Sequence, residues 1–121
     1  MSLSYNKLTG GIPRQVGNSS SLNYVMLDGN SLGGVIPESI RDLKLLSEFH
    51  DADGNLLIEL IHATLSNSTL LVNIDVSHNS LRGPLMDLGC LTKLGLLNAL
   101  VNQLSGSIPA SIANCTTLEL F

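Results

Sequence analysis

The chain has 121 residues, room for one domain and one core, and with apolar residues at 44%, two Phe, two Tyr and no Trp, that core must be aliphatic. Charged residues make up only 13%, the formal net charge is −4 and no Lys/Arg run occurs, which excludes the electrostatic footprint of a nucleic-acid binder. No stretch reaches the roughly eighteen unbroken apolar residues of a membrane-spanning helix, and the opening MSLSYNKLTGG has neither the basic start nor the apolar run of a secretory signal.

Residues 1 to 5 read as the second half of a strand. From Asn6 the chain runs NKLTGGIPRQVGN, and the phrase returns as NSLGGVIPESIRD from Asn30 and as NQLSGSIPASIANC from Asn102. With the asparagine as origin, marks fall at Asn6, Asn30, Asn55, Asn79 and Asn102, at intervals of 24, 25, 24 and 23 residues. A period of this length signals stacked units, none of which can bury its apolar side alone.

Ahead of the marks stand apolar trios: Leu22, Val25, Leu27; Leu71, Ile74, Val76; Leu94, Leu97, Ala99. The last two of each trio are two apart, the strand period, so each copy predicts one strand of a parallel sheet with these side chains inward. After the mark, the copies at Asn6, Asn30 and Asn102 place a leucine, a glycine, an Ile-Pro pair and a further apolar residue in fixed phase, as in Leu32, Gly34, Ile36, Pro37 and Ile40. Glycine permits a turn and proline stops a helix from running through it, so the chain folds back along a second edge. The asparagines are expected to serve the scaffold, their amides bridging backbone groups from coil to coil.

The third copy departs from this pattern, with Glu59 in the glycine position and His62 in the proline position. It is one residue long on entry, which predicts a β-bulge at His50 or Asp51 with Phe49 and Ala52 both inward. Leu56 to Leu65, lacking turn residues, are expected to form a short helix. The fourth copy has Pro84 and Met86 out of phase and is one residue short, restoring the overall register. The closing LELF starts a sixth strand. No polar cap is visible at either end, so the chain reads as an uncapped internal piece of a longer array or as a truncated product.

The composite pattern L-x-x-L-x-L-x-x-N-x-L-x-G-x-I-P-x-x-I resembles the plant-type leucine-rich repeat of receptor-like kinase and receptor-like protein ectodomains. The resemblance covers nearly the whole chain and implies a single domain over residues 1–121. That domain would be an α/β solenoid, a right-handed leucine-rich-repeat superhelix of about five repeats with its parallel sheet on the concave face. It further implies a non-catalytic module that binds a peptide or protein ligand, with a co-receptor as a second partner. Membrane attachment would come only through segments outside this chain, at the extracellular face of the plasma membrane or in a secreted product. Enzyme-inhibiting proteins built from the same repeat supply the alternative function, and a non-functional remnant the other.

The outward strand positions are the candidate ligand surface: Tyr24, Met26 and Asp28 in the second copy, His50, Asp51 and Asp53 in the third, Asn73 and Asp75 in the fourth, and Asn98 in the fifth. Carboxylates held one strand spacing apart repel one another, which a cationic partner relieves. Leu96, Leu100 and Val101 extend this surface as an apolar patch. Three sequons, at Asn18, Asn67 and Asn114, each lie twelve residues after a marker and predict glycosylation along one edge on secretion. Cys90 and Cys115 differ in phase between neighbouring copies and read as small buried hydrophobes, not a disulfide. No spacing supports a metal site or a cofactor, and no nucleophile, phosphate-loop or kinase motif occurs.

Overall fold

The computed structural model of the protein describes residues 1–51, 53–58, 65, 67–85, 87–89 and 91–119. The expectations attached to Ala52, Glu59, His62, Met86 and Cys90 lie outside these residues. In chain order the strands are β1 (Thr9–Gly11), β2 (Tyr24–Met26), β3 (Ser31–Gly34), β4 (Glu48–His50), β5 (Leu56–Leu57), β6 (Asn73–Asp75), β7 (Arg82–Gly83), β8 (Leu96–Asn98) and β9 (Gln103–Leu104).

β2, β4, β6 and β8 form a parallel sheet in that order. Val25, Phe49, Ile74 and Leu97 stand side by side in it and are all buried. Alternation sends their neighbours to the other face, where Tyr24, Glu48, Asn73 and Leu96 form one row and Met26, His50, Asp75 and Asn98 the next. Ser2 bridges to Met26, so the opening residues extend the sheet as expected. At the other end, Glu119 donates its backbone N–H to the Gly95 carbonyl at 2.9 Å; the strand expected over LELF runs into Leu120 and Phe121, outside the described residues.

The chain then turns and pairs along a second edge, β1 with β3 and β3 with β5, and separately β7 with β9. Gly10, Gly34, Gly83 and Gly106 have φ between 77° and 82°, which is why the repeat places glycine there. Pro13, Pro37 and Pro109 open 3-10 turns at Arg14–Asn18, Glu38–Asp42 and Ala110–Asn114. Each return closes with the same two backbone bonds, for example Leu43 to Ile40 at 3.0 Å and Leu46 to Leu43 at 3.1 Å. The third and fourth coils repeat them at Ser68, Leu71, Leu91 and Leu94, although they lack Ile-Pro. Leu56 and Leu57 lie in a strand and not in the expected helix. Leu65 is helical, and residues 59–64 are outside the description.

No bulge occurs at His50 or Asp51. The N–H of Asp51 reaches the Asp75 carbonyl at 2.8 Å, just as Leu27 reaches His50 and Val76 reaches Asn98. The extra residue is absorbed after Asp51, where Asp53 (φ 55°) and Gly54 (φ 102°) both adopt the left-handed conformation; the other coils use one such residue, Tyr5, Gly29, His78 or Val101, before the marker. A bulge in a strand paired on both sides would disrupt two ladders, whereas a turn absorbs the residue at its own cost. In the return of the fourth coil the Asp87 carboxylate accepts from the Gly89 N–H at 2.8 Å.

The asparagines tie the coils together. Oδ1 of Asn30, Asn55, Asn79 and Asn102 accepts the N–H of Leu8, Leu32, Leu57 and Leu81 of the preceding coil, at 3.1, 2.8, 3.0 and 3.0 Å. Their Nδ2 groups donate back to the carbonyls of Leu3, Leu27, Asp51 and Val76, again one coil earlier. Each amide thus satisfies backbone groups that neither a strand nor a 3-10 turn can reach.

Two outcomes follow for stability. Asn79→Ala strands the Leu57 N–H and the Asp51 carbonyl inside the stack and should cost about 2–3 kcal/mol in urea unfolding, whereas Asn6→Ala, whose amide reaches only Leu3 and Ser4 of its own coil, should cost under about 1 kcal/mol. Val101 is β-branched, holds φ 52° and is 65% exposed. Val101→Asn should raise stability by about 1 kcal/mol through relief of that strain, seen as a higher urea midpoint at unchanged m-value.

Candidate binding surface

The residues one place before and one place after the sheet's inner row point outward in two ranks, within each of which neighbouring strands are roughly 4.8 Å apart. The first rank is Tyr24, Glu48, Asn73 and Leu96; the second is Met26, His50, Asp75 and Asn98. The structure brings eight of the nine expected ligand residues, Tyr24, Met26, Asp28, His50, Asp53, Asn73, Asp75 and Asn98, to this face or its rim.

Asp51 is the exception. It is 0% exposed, in the position that Leu27 and Val76 occupy in the adjoining coils. Because the extra residue enters after it, Asp51 keeps the inward phase, and the reading of it as a surface residue is wrong. Its Oδ1 accepts from Nδ2 of Asn55 at 2.5 Å, and its Oδ2 has no partner among the described residues. Burial, with the charge of Asp28 added, pushes its carboxyl up to about 8.

The same shift of phase concealed Glu48. Counting back from Asn55 puts it one place out, but strand register places it in the first rank between Tyr24 and Asn73. Matching Phe49 to Ile74, rather than aligning the asparagines, would have found it. Its carboxylate lies 3.8 Å from Nε2 of His50.

Asp75 is held at both carboxylate oxygens. Oδ1 accepts from the Ser77 hydroxyl at 2.7 Å and from its N–H at 3.0 Å, while Oδ2 accepts from Asn98 Nδ2 at 3.1 Å. Asp28 accepts from the Ser4 hydroxyl at 2.9 Å, and Asp53 from the Tyr5 hydroxyl at 3.4 Å. The carboxylate of Asp53, together with partial desolvation and the more distant Asp28, holds the Tyr5 phenol above its ordinary value. None of the six Lys and Arg, at positions 7, 14, 41, 44, 82 and 93, occupies an outward position of β2, β4, β6 or β8. The outward ranks are therefore acidic with no Lys or Arg in β2, β4, β6 or β8, and they grade into an apolar end where Leu100 and Val101 are 68% and 65% exposed.

Asn18, Asn67 and Asn114 are all exposed, on the edge where the returns end. Cys115 is a free, buried thiol raised by that burial. Among the described residues no His, Cys, Asp or Glu group is arranged to hold a metal ion, and no helix is long and apolar enough to cross a membrane.

A Leucine Rich Repeat family model matches residues 21–43. The receptor-like kinase TMK2 of Arabidopsis thaliana is 33% identical over 77% of this chain and 11% of its own length. The chain spans between 11% and 17% of the curated relatives it matches. Among solved structures, the ectodomain of the Arabidopsis receptor kinase HAESA, bound to an extended IDA peptide hormone, superposes with a TM-score of 0.91 at 33% identity, over 96% of this chain and 20% of that one. The ectodomain of the Arabidopsis thaliana receptor kinase SOBIR1 superposes at 0.92 with 30% identity, over 100% of this chain and 65% of that one. The chain is accordingly a plant-type leucine-rich-repeat protein, similar to a stretch of the ectodomains of plant receptor kinases and receptor-like proteins.

Proposed function

We propose that the chain is a non-catalytic recognition segment of a plant cell-surface receptor ectodomain, and that its outward ranks take an extracellular polypeptide carrying a basic group. The acidic character of the outward ranks carries this reading. Asp28, Glu48, Asp53 and Asp75 lie on three adjacent coils with no Lys or Arg among them. In water such a face repels itself weakly, and a guanidinium or ammonium placed over it gains from several carboxylates at once. The apolar end at Leu96, Leu100 and Val101 would hold a neighbouring aliphatic or aromatic side chain of the same ligand. Support also comes from the likeness to HAESA, whose ectodomain is bound to a peptide hormone and, in a second structure, also to the co-receptor SERK1. A co-receptor is the corresponding second partner here. On the extracellular side, Asn18, Asn67 and Asn114 would carry glycans on the edge away from the ligand.

Titration calorimetry with Lys/Arg-containing peptides and their neutral counterparts tests the ligand class. Basic peptides should bind, and Glu48→Gln or Asp53→Asn should each weaken them by about two- to fivefold at low salt, with the difference fading at about 0.5 M salt. Equal binding of neutral peptides, or indifference to both changes, would sink the reading. When the chain is secreted from plant cells behind an added leader, each of Asn18→Gln, Asn67→Gln and Asn114→Gln should lower its mass by one glycan. An unglycosylated product would remove the assignment of that edge.

A further inference from the structure

The buried carboxyl of Asp51 is not explained by ligand recognition, because it cannot touch a ligand. It interrupts an apolar column, with Leu27 on one side and Val76 on the other, and it is fully buried with one oxygen unpartnered among the described residues. Aspartate there costs stability that a leucine or valine would not. Asp51 also lies where two rungs of the asparagine ladder meet. Its side chain takes Nδ2 of Asn55, the same amide whose Oδ1 holds the Leu32 N–H, and its backbone carbonyl takes Nδ2 of Asn79. His50 precedes it in the strand and Asp53 lies two residues beyond it in the turn, both facing the candidate ligand surface.

The groups around it determine what a proton does. From the second coil Asp28 contributes a like charge. Among the described residues of its own coil, only the neutral amide of Asn55 reaches the carboxyl, while His50 points to the outer face beside Glu48 and Asp53 toward Tyr5. The fourth coil offers Val76 and the amide of Asn79, and the Asp75 carboxylate is directed to Ser77 and Asn98 instead. Among the described residues no cation is placed to neutralise an ionised Asp51. Ionisation in place would leave a charge against apolar walls and a second carboxylate, so the charged form is relieved only by leaving the core.

We propose that Asp51 is a protonation switch: as a neutral acid it seats the third coil in the stack, and on ionising it withdraws, releasing the rung at Asn55 and displacing His50 and Asp53 from the outer face. The structural half of this stands without a ligand; only its effect on ligand binding rests on the function proposed above.

The direction of the pH effect is fixed. The carboxyl is raised from 3.8 to about 8 by folding, so between those values the folded chain holds a proton that the unfolded chain has released. The stabilisation is therefore complete below the lower value and is lost as pH rises to the upper one, with a limiting slope of about 1.4 kcal/mol per pH unit. Carbon-detected NMR of the Asp51 carboxyl, with amide-exchange protection of Leu32 and Leu57, reads this without any ligand. The carboxyl should titrate near 8, and protection of the two amides should fall by about tenfold or more between pH 6 and 9 in the native chain, once intrinsic exchange is corrected for. Asp51→Asn and Asp51→Leu should both abolish the fall, the second also raising stability at pH 8; if one fails to fold the other suffices. An Asp51 midpoint near 4, or the same pH dependence in native and variant chains, would overturn the switch. A normal switch in a chain that ignores basic peptides would leave it standing and remove only the ligand reading.

Discussion

Everything in this fold depends on an amide that reaches one coil back. A leucine-rich coil has three sides and several corners, and at each corner the backbone leaves N–H and C=O groups facing neither a ladder nor water. The side chains of Asn30, Asn55, Asn79 and Asn102 supply one acceptor and one donor at the same corner of every step. Asparagine suits this task because its amide has both functions in one rigid plane, which aspartate, serine and leucine lack. Burial of the aliphatic columns supplies most of the driving force, but the amides fix the phase in which the columns meet.

That division explains how the third and fourth coils survive their irregular sequences. The third keeps its marker, its strand register and both bonds of its return at Ser68 and Leu71, so an extra residue can be lodged in the turn at Asp53 and Gly54. What it gives up is the apolar column itself. Asp51 and Ser68 occupy positions where the adjoining coils have Leu27, Val76, Leu43 and Leu91, and the Ser68 hydroxyl, like the second oxygen of Asp51, lacks a partner among the described residues. These two polar intrusions, Asp51 behind the acidic outer face and Ser68 in the return, subtract apolar burial from that step of the stack.

The period, the inward columns, the scaffold asparagines and the second edge were all legible in the residues, because stacking imposes the same chemistry every 24 or so positions. Legibility failed where the period slipped. The asparagine was a sound origin for four coils, but in the third the added residue lies between strand and marker, so counting back from Asn55 moved Asp51 outward and left Glu48 out. The placement of an insertion is an energetic choice between a bulge and a turn, and a one-residue surplus in the alignment does not record which was cheaper. The pairing of His50 with Glu48, and the anchoring of Asp75 by Ser77 and Asn98, follow from rank geometry that appears only once strand register is known.

The ladder of β2, β4, β6 and β8 ties coil to coil on one side of the stack, and the asparagine amides tie the same coils at the corner beyond it. Even the irregular third and fourth coils share both fastenings, with the Ser80 N–H on the Leu57 carbonyl at 2.9 Å beside them. A ribbon riveted at two points across its width resists shear between successive turns, so the outward ranks keep their spacing and meet a partner as one fixed template.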